Sequence, residues 1–208
     1  MLFGRYLKWT PKQGLSKWKS FTWQQPSDSI KRTEYILSEL PEPAWNAWRY
    51  ICRREFITKR ELFFECGLLC EDVPWTLALL ENAVTVSFLP EPFYGYYYRR
   101  PNSIMSRRDS KRLIDLNMSI AKLLGQYSGR PIICRQLVQQ SFLYINEYCE
   151  FEDEDRNKIW LAYQTVLPFY RLSASRLHRV AGKFQNQVLF CGLSLCLFIL
   201  KHLRRLFK

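Results

Sequence analysis

The chain has 208 residues, of which 48% are hydrophobic and 16% aromatic. That composition excludes a disordered tail and suffices for one sizeable core or two small domains. Lys and Arg number 31 against 19 Asp and Glu, a formal charge of +12, which calls for an anionic partner: nucleic acid, acidic lipid or a phosphorylated substrate.

Residues 1–27 are basic, aromatic and poorly periodic, with Tyr6, Trp9, Trp18, Phe21 and Trp23 set among Lys8, Lys12, Lys17 and Lys19. Such interleaving suits base stacking on single-stranded nucleic acid, or strands and loops whose partner surface lies elsewhere. The opening residues show no apolar core of a secretory signal. Asp28 or Ser29 is expected to cap a helix running to Leu40, stopped by Pro41 and Pro43. Residues 44–51, with Trp45 and Trp48, have strand-like character, and a short helix or turn follows near 58–62.

The run Gly67-Leu68-Leu69-Cys70 ends in two carboxylates, Glu71 and Asp72, and Pro74 opens a helix over 73–83. Local signals leave Asp72 two readings. It can cap that helix, with Pro74 tolerated in the first turn, or it can be a catalytic carboxylate. Residues 84–89 are rich in β-formers, Pro90 and Pro92 mark a turn, and 93–99 make a second strand, so the region is α/β in character.

Amphipathic helices are predicted over 110–125 and 132–148. The acidic run at 150–155 reads as a solvated loop capping a helix over 156–167, with cation binding as the alternative. Residues 188–200 are almost wholly apolar, interrupted by Gly192 and Ser194, and Lys201, His202, Arg204, Arg205 and Lys208 follow directly. Thirteen helical residues span about 20 Å, short of a hydrocarbon core of about 30 Å. With Arg176, Arg179 and Lys183 upstream, the pattern suits a helix lying in an anionic membrane interface over 176–208. The other reading is a helix docked on the protein body or on a partner.

The seven cysteines are odd in number and scattered through apolar contexts, which argues against a disulfide framework and for a reducing compartment. Cys66 and Cys70 have no second pair at zinc spacing, and His178 and His202 sit in basic helical stretches, so a structural zinc site is not expected.

Four blocks carry a resemblance: Trp48 to Phe56, Phe64-Glu65-Cys66-Gly67, Glu71-Asp72-Val73-Pro74-Trp75, and Tyr98-Arg99-Arg100-Pro101-Asn102-Ser103-Ile104. In order and spacing they resemble the family 2 glycosyltransferases that build bacterial cell-surface polysaccharides, over about residues 28 to 125. The resemblance implies an α/β chain, a partial GT-A-like fold amounting to the acceptor-side half of a nucleotide-diphospho-sugar transferase, followed by a mostly helical region. The implied divisions are a transferase-like part at 1–125, a helical part at 126–185 and a basic, membrane-proximal helix at 186–208.

It further implies transfer of a sugar from a nucleotide-sugar donor to a saccharide or lipid-linked acceptor. Asp72 would be the base that takes the acceptor hydroxyl proton, flanked by Glu71. Trp75 would shape the acceptor side, Arg99 and Arg100 would meet diphosphate charge, and Trp48 and Trp45 would stack on a sugar ring. The complete enzymes use a divalent metal, Mn or Mg. The nucleotide-binding half and its metal-binding Asp-x-Asp are not found in this chain, and Asp153 and Asp155 have that spacing on the wrong side of Asp72. The chain alone is therefore expected to be a poor catalyst or none, either a remnant of a split or frameshifted gene or one part of a two-chain enzyme. The implied location is cytoplasmic, peripheral on the inner face of the plasma membrane. The alternatives are a non-catalytic membrane-surface protein, or a basic nucleic-acid module, which lacks any supporting recognition motif and is not expected.

Overall fold

A computed structural model describes residues 1–10, 14–15, 29–39, 44–97, 100–101, 103 and 109–206. The expectations placed on Trp18, Phe21, Trp23, Asp28, Leu40, Pro41, Pro43 and Arg99 lie outside the described residues. The described residues form a mixed α/β structure divided into two compact units, residues 1–67 with 71–108 and residues 68–70 with 109–208.

The first unit is built on a small sheet. Strand β1 (Leu2–Thr10) is its centre. It pairs antiparallel with β2 (Gly14–Leu15) at one end and with β3 (Tyr50–Ile51) at the other, and parallel with β4 (Ser87–Tyr97) along its length. The poorly periodic start of the chain is thus a central strand. Where two strands around a proline turn were expected over 84–99, the described residues 84–97 hold one strand. Its register with β1 slips between Gly4 and Arg5 and again between Arg5 and Tyr6, leaving Pro90 and Glu91 and then Phe93 in bulges. Bulges are where a strand accommodates prolines that cannot donate to the ladder. Gly4 is needed on β1 because a Cβ there would stand 2.7 Å from the Phe93 ring and 3.0 Å from the Leu89 Cβ.

Residues 44–51 are not a strand throughout. They make a turn, a 3-10 turn at Ala47–Arg49, and only then β3. Helix α1 (Ser29–Glu39) packs on α3 (Asp72–Asn82), and a short α2 (Arg54–Lys59) lies between β3 and α3 in sequence. The core of this unit gathers Phe3, Ile36, Trp45, Val73, Leu77, Leu80 and Val86. Arg32 of α1 closes the far end of α3 by donating to the carbonyls of Ala83 at 2.9 Å and Val84 at 2.8 Å. Those carbonyls lie beyond the helix ladder and need outside donors, which a buried guanidinium supplies in fixed geometry.

The second unit is helical: α4 (Ser110–Gln126), α5 (Pro131–Phe142), α6 (Asp153–Val166), α7 (Arg176–Ala181) and α8 (Gln187–Leu206), with 3-10 segments at Ile145–Glu150 and Leu167–Leu172. Asp109 caps α4, its side chain accepting from the Lys111 N–H at 2.9 Å. The helix expected over 132–148 ends at Phe142, and the remainder tightens into a 3-10 segment. The acidic run enters α6 itself, so that Asp153, Glu154 and Asp155 occupy the first turn, where the helix dipole favours negative charge.

Leu113, Leu116 and Ile120 of α4 meet Leu137 and Val138 of α5 and Ile159, Tyr163 and Val166 of α6 in the core. A buried polar chain runs through it. Ser141 Oγ donates to Asn117 Oδ1 at 2.5 Å and lies 2.9 Å from the Tyr170 hydroxyl, while Asn117 donates to the Leu113 carbonyl. With each member paired, the chain avoids the cost of burying polar groups unsatisfied.

Candidate active site at the start of helix α3

Two left-handed backbone positions shape the approach to the carboxylate pair, Gly67 at φ 76° and Cys70 at φ 60°. Glycine adopts this region freely, whereas a cysteine there is strained. Glu71 then already has helical angles and makes no side-chain capping bond, and Asp72 is the first residue of α3. Asp72 is therefore not the cap. The helix begins one residue earlier than expected and carries the Asp72 carboxyl in its opening turn.

Burial is the main influence on that carboxyl, and the negative charge of Glu71 adds to it. The N–H groups of Asp72 and Val73 oppose them by favouring the charged form. The balance pushes the Asp72 pKa up to about 6. The helix N-terminus by itself would favour the charged form, and at Asp72 burial outweighs it.

Trp75 follows three residues later, on the same side of the helix. Its Nε1–H donates to the Leu62 carbonyl at 3.0 Å. Its ring lies 4.9 Å from Phe64 and 6.2 Å, edge-on, from Tyr50. Tyr50 is held in turn by donating to the Ala44 carbonyl at 2.6 Å. Burial drives the Tyr50 pKa upward against the pull of the Arg49 guanidinium, and the charges of Cys52 and Asp72 raise it further. Cys52 is also pushed up by burial, with the N-terminal amino group acting in the opposite sense. That amino group donates to the Thr85 carbonyl at 3.0 Å.

Asp72, Tyr50 and Cys52 therefore share one electrostatic neighbourhood beside a fixed tryptophan. Sequence reasoning did not single out Tyr50 or Cys52, although both stand in the first of the four blocks. The available signal was position alone, since a tyrosine and a cysteine in a short strand read as core.

The other expected site residues fall elsewhere. Trp48 stacks against Tyr94 at 4.7 Å and Tyr96 at 5.2 Å, with Tyr6 edge-on at 4.7 Å, in an aromatic cluster on the sheet. Trp45 is buried and its carbonyl accepts from Thr76 at 3.0 Å. Arg100 is exposed. Among the described residues no group of three His, Cys, Asp or Glu side chains is placed to hold a metal ion.

Comparison with known proteins supports a relationship to glycosyltransferases. The relative carrying it is the "Uncharacterized glycosyltransferase YibD" of Escherichia coli (strain K12), 26% identical over 135 residues. The match takes in 57% of this chain and 39% of the relative, so the chain spans well under half of that protein's length. No family model matches the chain, and no solved structure matches it.

Proposed function

We propose that this chain is the acceptor-side half of a family 2, GT-A-type glycosyltransferase, serving transfer of a sugar from a nucleoside-diphosphate sugar to a saccharide or lipid-linked acceptor in cell-surface polysaccharide synthesis. The observation that carries the reading is the similarity to a curated glycosyltransferase. The state of Asp72 supports it, since a carboxyl with a pKa near 6 is ionised at neutral pH yet basic enough to take a proton.

In the proposed reaction Asp72 accepts the proton of the acceptor hydroxyl as that oxygen attacks the anomeric carbon. The bond from that carbon to the diphosphate breaks, and the nucleoside diphosphate leaves with the electron pair. Burial keeps the Asp72 carboxyl basic and the Glu71 charge adds to it, and Trp75, pinned by Leu62, Phe64 and Tyr50, offers a rigid wall on the acceptor side. Arg99 and Arg100 would face the diphosphate, and Trp48 would bear on the sugar through the aromatic cluster it belongs to. The described residues do not fit the Mn²⁺ or Mg²⁺ of the complete enzyme. In the complete enzyme that ion would belong with the nucleotide-binding half, outside the acceptor-side residues.

The test is transfer of labelled sugar from nucleoside-diphosphate sugars to saccharide and lipid-linked acceptors, with calorimetry of UDP and Mn²⁺ binding alongside. Asp72→Asn is expected to lower transfer by about 10²- to 10⁴-fold, the usual contribution of a general base. An unchanged rate would remove the base assignment. Absence of both nucleotide binding and transfer would leave catalysis to an assembly with a second chain.

A further inference from the structure

Helix α8 is apolar on two opposite faces, and the second unit uses only one of them. The inner face carries Phe190, fully buried within 5.1 Å of the rings of Tyr148, Trp160 and Tyr163. One turn on is Ser194, also fully buried, whose hydroxyl donates to the Ile145 carbonyl at 2.6 Å and accepts from the Cys149 N–H at 2.9 Å. The serine that interrupts the apolar run is thus the group that docks the helix. On the opposite face Val188, Leu195, Ile199 and Leu203 recur at helical spacing, with relative exposures from 44% at Leu203 to 76% at Val188. Leu189 and Leu200 widen the stripe at 57% and 50%. A helix docked on a body ordinarily turns polar residues outward. This one turns leucine, isoleucine and valine outward for about 22 Å, at 1.5 Å per residue from 188 to 203.

We propose that the outer face of α8 seats the protein on an anionic lipid bilayer, the helix lying flat with its apolar stripe below the headgroups. Charge selects this occupant. From position 176 to 208 the chain contains no Asp or Glu, while Arg176, Arg179 and Lys183 precede the stripe and Lys201, Arg204, Arg205 and Lys208 follow it. Cations at both ends of an apolar stripe attract acidic headgroups and repel a second copy of the same surface. The short α7 adds exposed Leu177 and Val180 next to Arg176 and Arg179. No helix among the described residues is long and apolar enough to cross a membrane, so α8 is assigned to the interface. The proposal stands apart from the sugar chemistry.

The test is co-sedimentation of the full chain with vesicles of phosphatidylcholine alone and with added phosphatidylglycerol, for the parent and for a Leu195→Ser, Ile199→Ser double variant. Both side chains point away from the core, and an unchanged thermal midpoint checks that the fold is kept. The parent is expected to partition at least tenfold more strongly onto the anionic vesicles, and the double variant to lose at least tenfold of that binding. Equal binding to both vesicle types would overturn the anionic requirement. Full binding by the double variant would overturn the role of the α8 face. A parent that sediments as a dimer, becomes monomeric in the double variant and ignores both vesicles would show the face to be a contact between copies.

Discussion

The sign of its effect on stability separates a buried, charge-penalised Asp72 from a capping one. Its pKa is raised to about 6, whereas an unfolded aspartate titrates at about 3.9. Well below the unfolded value of about 3.9 the carboxyl is protonated in both states and contributes nothing. Between about pH 4 and 6 the folded chain retains a proton that the unfolded chain has released, so stability falls as pH rises, and above pH 6 the full penalty is present. Asp72→Asn removes the charge. It is expected to lie close to the parent at pH 4 and to exceed it by about 1 to 2 kcal/mol at pH 7.5, a figure discounted for partial solvent access. Urea midpoints at the two pH values measure this. A capping aspartate would give the opposite result, a loss of about 1 kcal/mol. The same titration sets the acid limb of the proposed transfer reaction, whose rate is expected to rise about tenfold per pH unit below 6 and to level off above it.

At the scale of elements, Gly182 ends α7 with no room for a side chain. A Cβ there would lie 2.7 Å from the Tyr170 Cβ and 2.8 Å from the Leu167 carbonyl oxygen. Neither atom is the free end of a flexible chain. Gly182→Ala is expected to cost about 1 to 3 kcal/mol, the range for overpacking, read as a lowered thermal midpoint. Gly67→Ala has open space around it, so its expected cost of about 1 to 2 kcal/mol comes from the positive φ alone. Helix α4 of the second unit was legible because Leu113, Leu116, Ile120 and Leu124 repeat at helical spacing. The sheet was not. Phe3 is buried, but Gly4 and Arg5 break the alternation on β1, and its long partner β4 lies more than eighty residues away. Pro90 and Pro92 read locally as a turn, and only the paired strand reveals a bulge. At the candidate site, Asp72 and Trp75 could be singled out from sequence because they share one short motif. Tyr50 comes to them through the sheet and the turn at Ala44, which no local pattern announces.

At the scale of the whole molecule the excess of positive charge must be weighed against the places where a nucleic acid could engage it. Sequence-tolerant single-strand binding needs open aromatic faces as well as cations. Among the described residues, Trp45 and Trp160 are buried, Trp48 is stacked with Tyr94 and Tyr96, and Trp75 is packed between Phe64 and Tyr50, while Phe63 and Tyr97 are exposed. Phosphate contact gives an attraction made of released counterions, which weakens as a power of salt concentration. A short single-stranded oligonucleotide is therefore expected to bind at 50 mM NaCl without sequence preference, and to lose at least about tenfold in affinity by 200 mM. Vesicle binding through α8 should fall less over the same range, because its apolar part is not screened. Fluorescence anisotropy of a labelled oligonucleotide, run beside vesicle co-sedimentation at matched salt, checks both slopes. Oligonucleotide binding that holds at 200 mM while vesicle binding collapses would reverse the assignment of the charge, making nucleic acid its partner and leaving the membrane an electrostatic bystander.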